Sequence, residues 1–190
     1  MSKEIIQIRV HGRGGQGVVT AAELIAMAAF YEGKEAQAFP FFGVERSGAP
    51  IMAFARISDK KIKTREQVYE PDYLIIQDET LIDDDGVLVG CNNHTKLIVN
   101  SSKSAKDIFH NLPNSKIKIN NIFTTPATEI ALEFLGRNIV NTVILGAMAK
   151  YSGLFSLAAL KQAVTKKLIS KGENILQKNL AAITKIYESN

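Results

Sequence analysis

The stretch VHGRGGQGVVTAAELIAMAAF, residues 10–30, decides how this 190-residue chain is read. It follows the short β-branched run EIIQIRV (4–10) and places glycines at 12, 14 and 17 in the spacing G-x-G-x-x-G. A strand, a glycine turn and an Ala/Leu-rich helix in that order predict the opening βα unit of an α/β fold. On this reading Gly12 permits a tight bend, Gly14 lets a ligand approach closely, and Gly17 lets the helix pack on the strand. Amides at the helix start then face an anion. A purely structural turn at the carboxyl edge of the sheet is the competing reading. Two details count against a nicotinamide site. No acidic residue closes the second strand about 20 residues past the turn, where a ribose hydroxyl needs one. Arg13 and Gln16 also place bulky polar side chains in the turn, which suits contact with a phosphate or a partner better than a bare pyrophosphate cradle.

Outward from this unit, apolar runs predict strands at 36–42, 51–58, 72–78, 87–91, 96–101 and 116–122. Pro40 ends the first of these strands or puts it at a sheet edge. A basic strand or turn near 61–65 is expected to close a hairpin with 51–58. The first helix should end at Gly33. Thr125 is the expected cap of a helix starting at Pro126 and ending at Gly136, and Asn141 that of TVILGAMAKYSG. Leu157, Leu160, Val164 and Leu168 form one helical stripe; Leu176, Leu180, Ile183 and Tyr187 form another. The fold class is α/β: a Rossmann-like, mostly parallel sheet with a β-hairpin and a helical C-terminal third, in one domain over residues 1–190.

Composition narrows the function. Hydrophobic residues make up 46% and charged residues 22%, an ordinary globular balance. The net charge of +4 is dispersed; the densest cluster, Lys60, Lys61, Lys63 and Arg65, reads as a solvated hairpin or a docking surface for an acidic partner, so no nucleic-acid partner is expected. No segment approaches membrane-spanning length and MSKEIIQIRV lacks the apolar core of a signal peptide, so no membrane contact and a cytoplasmic setting are expected. A single cysteine, Cys91, cannot hold an iron–sulfur cluster or a structural zinc, and no metal site is expected. His11, His94 and His110 are scattered, and no nucleophile–base arrangement is present. His11, at the end of the first strand, is read as a hydrogen-bonded structural histidine.

A second constellation is FPFFGVERSGAPIMAF, residues 39–54, with Phe39, Phe41 and Phe42 beside the pair Glu45-Arg46. Rings filling core, with the charged pair meeting a partner outside, is the reading for this loop.

Together, HGRGGQGVVTAAELIA, QAFPFFGVERSGAPIMAFARI, YEPDYLIIQDETLI and NTVILGAMAKYSGLFSLAAL resemble the gamma subunits of the 2-oxoacid:ferredoxin oxidoreductases, in their pyruvate branch. The resemblance covers nearly the whole chain. It implies one subunit of an enzyme that oxidatively decarboxylates a 2-oxoacid on thiamine diphosphate, forms an acyl-CoA, and passes electrons through [4Fe–4S] clusters to ferredoxin or flavodoxin. It places thiamine diphosphate on alpha and beta subunits and the clusters on beta and delta. Accordingly no catalytic residue is expected here and no cofactor is firmly assigned to this chain. The thiamine signature is absent too: Asp85-Gly86 and Asn92-Asn93 lie too close together. A contact with coenzyme A is the candidate ligand role, carried by Gly12, Arg13, Gly14, Gly15, Gln16, Gly17 and Arg46, with an assembly-only role using the same residues as its rival. Branched-chain 2-oxoacid enzymes and an autonomous nucleotide-binding module are the alternatives.

Overall fold

A computed structural model of the chain describes residues 4–41, 48–84, 86–112 and 116–189. Six strands form one sheet: β1 (Ile5–Arg13), β2 (Glu35–Pro40), β3 (Pro50–Ser58), β4 (Tyr73–Ile76), β5 (Lys96–Asn100) and β6 (Ile122–Thr125). Their order is β2-β3-β1-β4-β5-β6. The β1–β4, β4–β5 and β5–β6 pairs are parallel, and β3 alone runs against its two neighbours. The hairpin of the fold is therefore β2–β3. Residues 61–65 form no strand, because β3 already has β2 and β1 on its two edges. Pro40 closes β2 at the sheet edge, where a missing N–H costs no ladder bond.

One face is covered by five helices: α1 (Val18–Tyr31), α3 (Ala127–Leu135), α4 (Leu145–Ser152), α5 (Leu157–Leu168) and α6 (Glu173–Glu188). Strand alternation sends Ile8, Val10, Ala55, Ile57, Ile75 and Ile98 to this side. Ala21, Ala22, Ala28 and Ala29 of α1 are fully buried, and their small side chains bring that helix close to the strands. The remaining helix, α2 (Ala105–Asn111), lies on the other face. There Ile108 meets Leu74, Ile76, Leu97 and Val99 in a second, smaller core.

Several expected elements fall elsewhere. Residues 87–90 are turns and Cys91 is irregular rather than strand, and β6 begins only at Ile122, so KIKIN precedes it as irregular chain and a single 3₁₀ turn. Thr125 ends β6 and Pro126 occupies the cap position of α3 without a side-chain cap bond. Residues 141–144 form turns, so α4 starts at Leu145 and Asn141 does not cap it. Sequence reading missed α2, although a capping box announces it: Ser104 Oγ accepts from the Asp107 amide, and Asp107 accepts from the Ser104 amide.

Candidate functional site

The turn after β1 begins later than the glycine spacing implies. β1 continues through Gly12 and Arg13, paired with Ile51 and Pro50 of β3. Gly12 is thus a strand residue and makes no bend; it is small because a Cβ there would stand 2.6 Å from Val18 Cγ2. Close packing of helix on strand, expected of Gly17, is the task of Gly12. Gly17 instead caps α1 in the left-handed region at φ 73°, and a Cβ on it would stand 2.2 Å from Asn141 Nδ2.

The turn is held from within. Arg13 N–H donates to Gln16 Oε1 at 2.7 Å, and Gln16 N–H donates to Arg13 O at 3.0 Å. Gly14, expected to admit a ligand, is bonded on both sides to the chain entering β3: its N–H donates to Ala49 O at 2.8 Å, and its carbonyl accepts from Gly48 N–H at 3.2 Å. Gly15, at φ 95°, completes the bend.

Arg13 and Gln16 converge on a residue that sequence reading did not single out. Asp78 follows β4, which lies beside β1 in the sheet. Its Oδ2 accepts from Arg13 Nε and from Gln16 Nε2, each at 3.1 Å. Arg13 also donates through Nη2 to Thr80 Oγ1 at 2.6 Å and through Nη1 to Gly48 O at 3.3 Å. Burial opposes ionisation of Asp78, but hydrogen bonds from Thr80 and Gln16 and the Arg13 charge outweigh it, so its pKa lies below the usual carboxylate value. An ionised acid thus clamps the turn, and the guanidinium expected to meet an outside anion already has an anion inside. The available signal was the polar pair Gln77-Asp78 ending the apolar run YLII.

The cavity beside this clamp, about 480 Å³, opens over the carboxyl ends of β4 and β5 and the first turn of α3. Asn100 organises its wall: its Nδ2 donates to Gln77 O and to Thr128 Oγ1, each at 2.9 Å, and its Oδ1 accepts from Thr128 N–H at 3.0 Å.

His11 is 3% exposed and its Nε2 has no hydrogen-bond partner. Burial first, and the neighbouring Arg9 charge second, push its pKa down to about 3. It is neutral at physiological pH and too weak a base for proton transfer there. A buried structural histidine is what the sequence reading expected, and its Nε2 makes no hydrogen bond. Phe39 and Phe41 pack on Phe54, with ring centroids 5.2 and 6.3 Å away, which bears out the inward part of the loop's reading. Phe42, Glu45 and Arg46 lie outside the described residues. Among the described residues no group of three or more His, Cys, Asp or Glu side chains is placed to hold a metal ion. No helix among them is long and apolar enough to cross a membrane.

Comparison with known proteins fits this geometry. The family model for pyruvate ferredoxin/flavodoxin oxidoreductases matches residues 7–189. Pyruvate synthase subunit PorC of Methanocaldococcus jannaschii is 49% identical over 160 residues, covering 84% of each chain. The common gamma subunit of the pyruvate/ketoisovalerate oxidoreductases of Pyrococcus furiosus is 46% identical over 184 residues, covering 97% of this chain and 96% of its own. The crystal structure of the pyruvate oxidoreductase subunit PORC from Thermotoga maritima superposes with a TM-score of 0.84 at 34% identity, over 98% of this chain and 97% of that one.

Proposed function

This chain belongs to the pyruvate ferredoxin/flavodoxin oxidoreductase family, and from that premise we propose that it is the gamma subunit of a multi-subunit pyruvate:ferredoxin oxidoreductase. The enzyme it serves oxidatively decarboxylates pyruvate to acetyl-CoA and CO2, with ferredoxin or flavodoxin as acceptor. The observation that carries this reading is end-to-end agreement with subunits called PorC or gamma, in sequence and in fold.

The chain's own chemistry agrees with a supporting role. Its buried histidine is not basic enough to move a proton at neutral pH. One cysteine cannot hold a four-cysteine cluster. Thiamine diphosphate and the [4Fe–4S] clusters therefore belong to partner alpha, beta and delta chains in this reading, and the complex works in the cytoplasm. The Pyrococcus relative's name joins pyruvate and ketoisovalerate in one common subunit. Substrate choice, on that precedent, lies with the partners.

For this subunit's part, we infer that the turn at 12–17 and the loop carrying Arg46 face neighbouring chains and line the approach of coenzyme A. Because Arg13 is already paired with Asp78, its contribution to an anion is positional: it holds the turn, in which the Gly14 and Gln16 amides are bonded within the fold and those of Gly15 and Gly17 are left for an anion.

Co-expression with candidate partner genes tests the assignment. The subunit should elute with chains carrying brown iron–sulfur absorbance and thiamine diphosphate, and pyruvate- and CoA-dependent ferredoxin reduction should require them. A lone polypeptide that turns over pyruvate would refute it. Arg13→Ala in the assembled enzyme should raise the KM for coenzyme A; an unchanged KM with intact assembly removes the CoA-lining role and leaves assembly.

A further inference from the structure

We propose that the cleft between α3 and α6, in the helical layer, binds a small organic anion: a carboxylate carrying a short branched aliphatic chain. The inference does not depend on the subunit assignment.

Helix packing leaves this cleft open. α3 lies against α6 and ends at Gly136, in the left-handed region at φ 70°. The chain then runs without helix or strand from 137 to 144 before α4 begins. Along it the side chains part. Asn138 lines the cavity over β4 and β5, whereas Arg137 and Ile139 line a separate one of about 290 Å³. The other walls of that cavity include the end of α5, at Leu168, and the start of α6, at Ile175 and Lys178. Its volume is near the lower end of the range for small-molecule sites.

The lining selects the charge, and here the two cavities are opposites. Asp78, Glu79 and Glu129 line the one over β4 and β5. Among the described residues no carboxylate lines the α3–α6 cleft, which holds Arg137 and Lys178 instead. Neither of these side chains makes an ion pair or a hydrogen bond with another described residue. Elsewhere on the surface, Lys103 and Lys167 are each paired with a glutamate. Two cations without a local counter-ion attract anions, and a guanidinium takes a carboxylate through two parallel bonds.

The aliphatic walls select the rest of the ligand. Leu135, Ile139, Leu168 and Ile175 share the cleft, and Ile139 and Ile175 are each 37% exposed. A bare inorganic anion would meet the cations and leave this apolar area in water; an aliphatic acid covers it. The polar floor is already complete. Thr142 Oγ1 donates to Asn179 Oδ1 at 2.6 Å, and Asn179 Nδ2 donates to Ile175 O at 2.8 Å. It holds α6 in place and leaves recognition to the two cations and the aliphatic walls.

Calorimetric titration of 4-methylpentanoate into the full chain, and into the assembled complex, tests the cleft. Saturable binding to both is expected, with a Tm that rises as the acid saturates. 4-Methylpentanamide keeps the chain and loses the charge; acetate keeps the charge and loses the chain. Each should bind about tenfold more weakly, and inorganic phosphate should compete no better than acetate. Arg137→Gln and Lys178→Gln should each weaken the acid about tenfold while leaving the unliganded Tm unchanged, because both side chains are exposed and unpaired. The proposal is overturned if the acid fails to saturate, if the amide, acetate or phosphate binds as well as the acid, or if neither variant weakens it. Binding to the free chain that vanishes in the complex gives the cleft to a partner subunit and overturns the proposal too. Subunit assembly and the KM for coenzyme A, measured separately, report on the subunit assignment and not on this cleft.

Discussion

On one face of the sheet, Ile8, Val10, Ala55, Ile57 and Ile98 meet five helices; on the other, β1 and β3 present Arg9, His11 and Arg56, buried almost as completely. The first face follows the familiar rule that apolar area leaves water. The second uses guanidinium groups as pins for irregular chain. Arg9 Nη2 donates to Val87 O and Val89 O, each at 2.8 Å, and Arg56 Nη2 donates to Glu66 O and Gln67 O. Arg56 also lies over the Phe39 ring, 5.0 Å from its centroid. Segments without strand or helix of their own cannot satisfy buried carbonyls internally, so long donors reach out from the strands to do it. Burial pulls the pKa of both arginines down, yet an arginine stays charged, which suits it to this task.

This contrast can be broken experimentally, most forcefully at Arg9. Arg9→Met keeps much of the apolar stem but leaves the carbonyls of buried Val68 and Val87 without their guanidinium donors, at roughly 1–3 kcal/mol each, so a loss of about 4 kcal/mol is expected in denaturant unfolding. A neutral result would mean that the polar face does not hold the 86–91 segment. On the helical face, Leu160→Ala at a fully buried site should cost about 3 kcal/mol, through lost transfer energy and a residual cavity.

Acid should separate the two faces next. The folded-state pKa of His11 is about 3, against about 6.5 in the unfolded chain, so below pH 6.5 the unfolded state binds the extra proton. Stability from this group is complete above pH 6.5 and falls by about 1.4 kcal/mol per unit as pH drops toward 3. At pH 5 that is about 2 kcal/mol, and His11→Gln should flatten this part of the stability–pH curve. The smallest effect belongs to the exposed pair Lys167–Glu23, with side chains 40% and 42% exposed: Lys167→Ala should shift stability by less than about 0.5 kcal/mol, and less still in high salt.

Legibility in the sequence followed the same division. α1, α5 and α6 and strands β1, β3, β4 and β5 announce themselves, because each repeats an apolar period against a continuous core. VLVGC misled, since an apolar run reads alike whether its backbone pairs in a ladder or its carbonyls are capped by Arg9, 78 and 80 residues away. Tertiary order also supplied an acid that the local pattern did not place. The acid beside the turn is Asp78, brought there because β4, not β2, lies next to β1 on the parallel side.

The sequence by itself determined the α/β class, the strand–turn–helix opening and, through its motifs in order, the family; these rest on local periods and on residues close together along the chain. Only the tertiary structure decided that Gly12 belongs to a strand, that Arg13 answers to Asp78, and that the Gln77 side chain is buried without a hydrogen-bond partner. Those facts depend on which strand lies beside which. That order is set by how the whole chain buries its surface, and no local pattern encodes it.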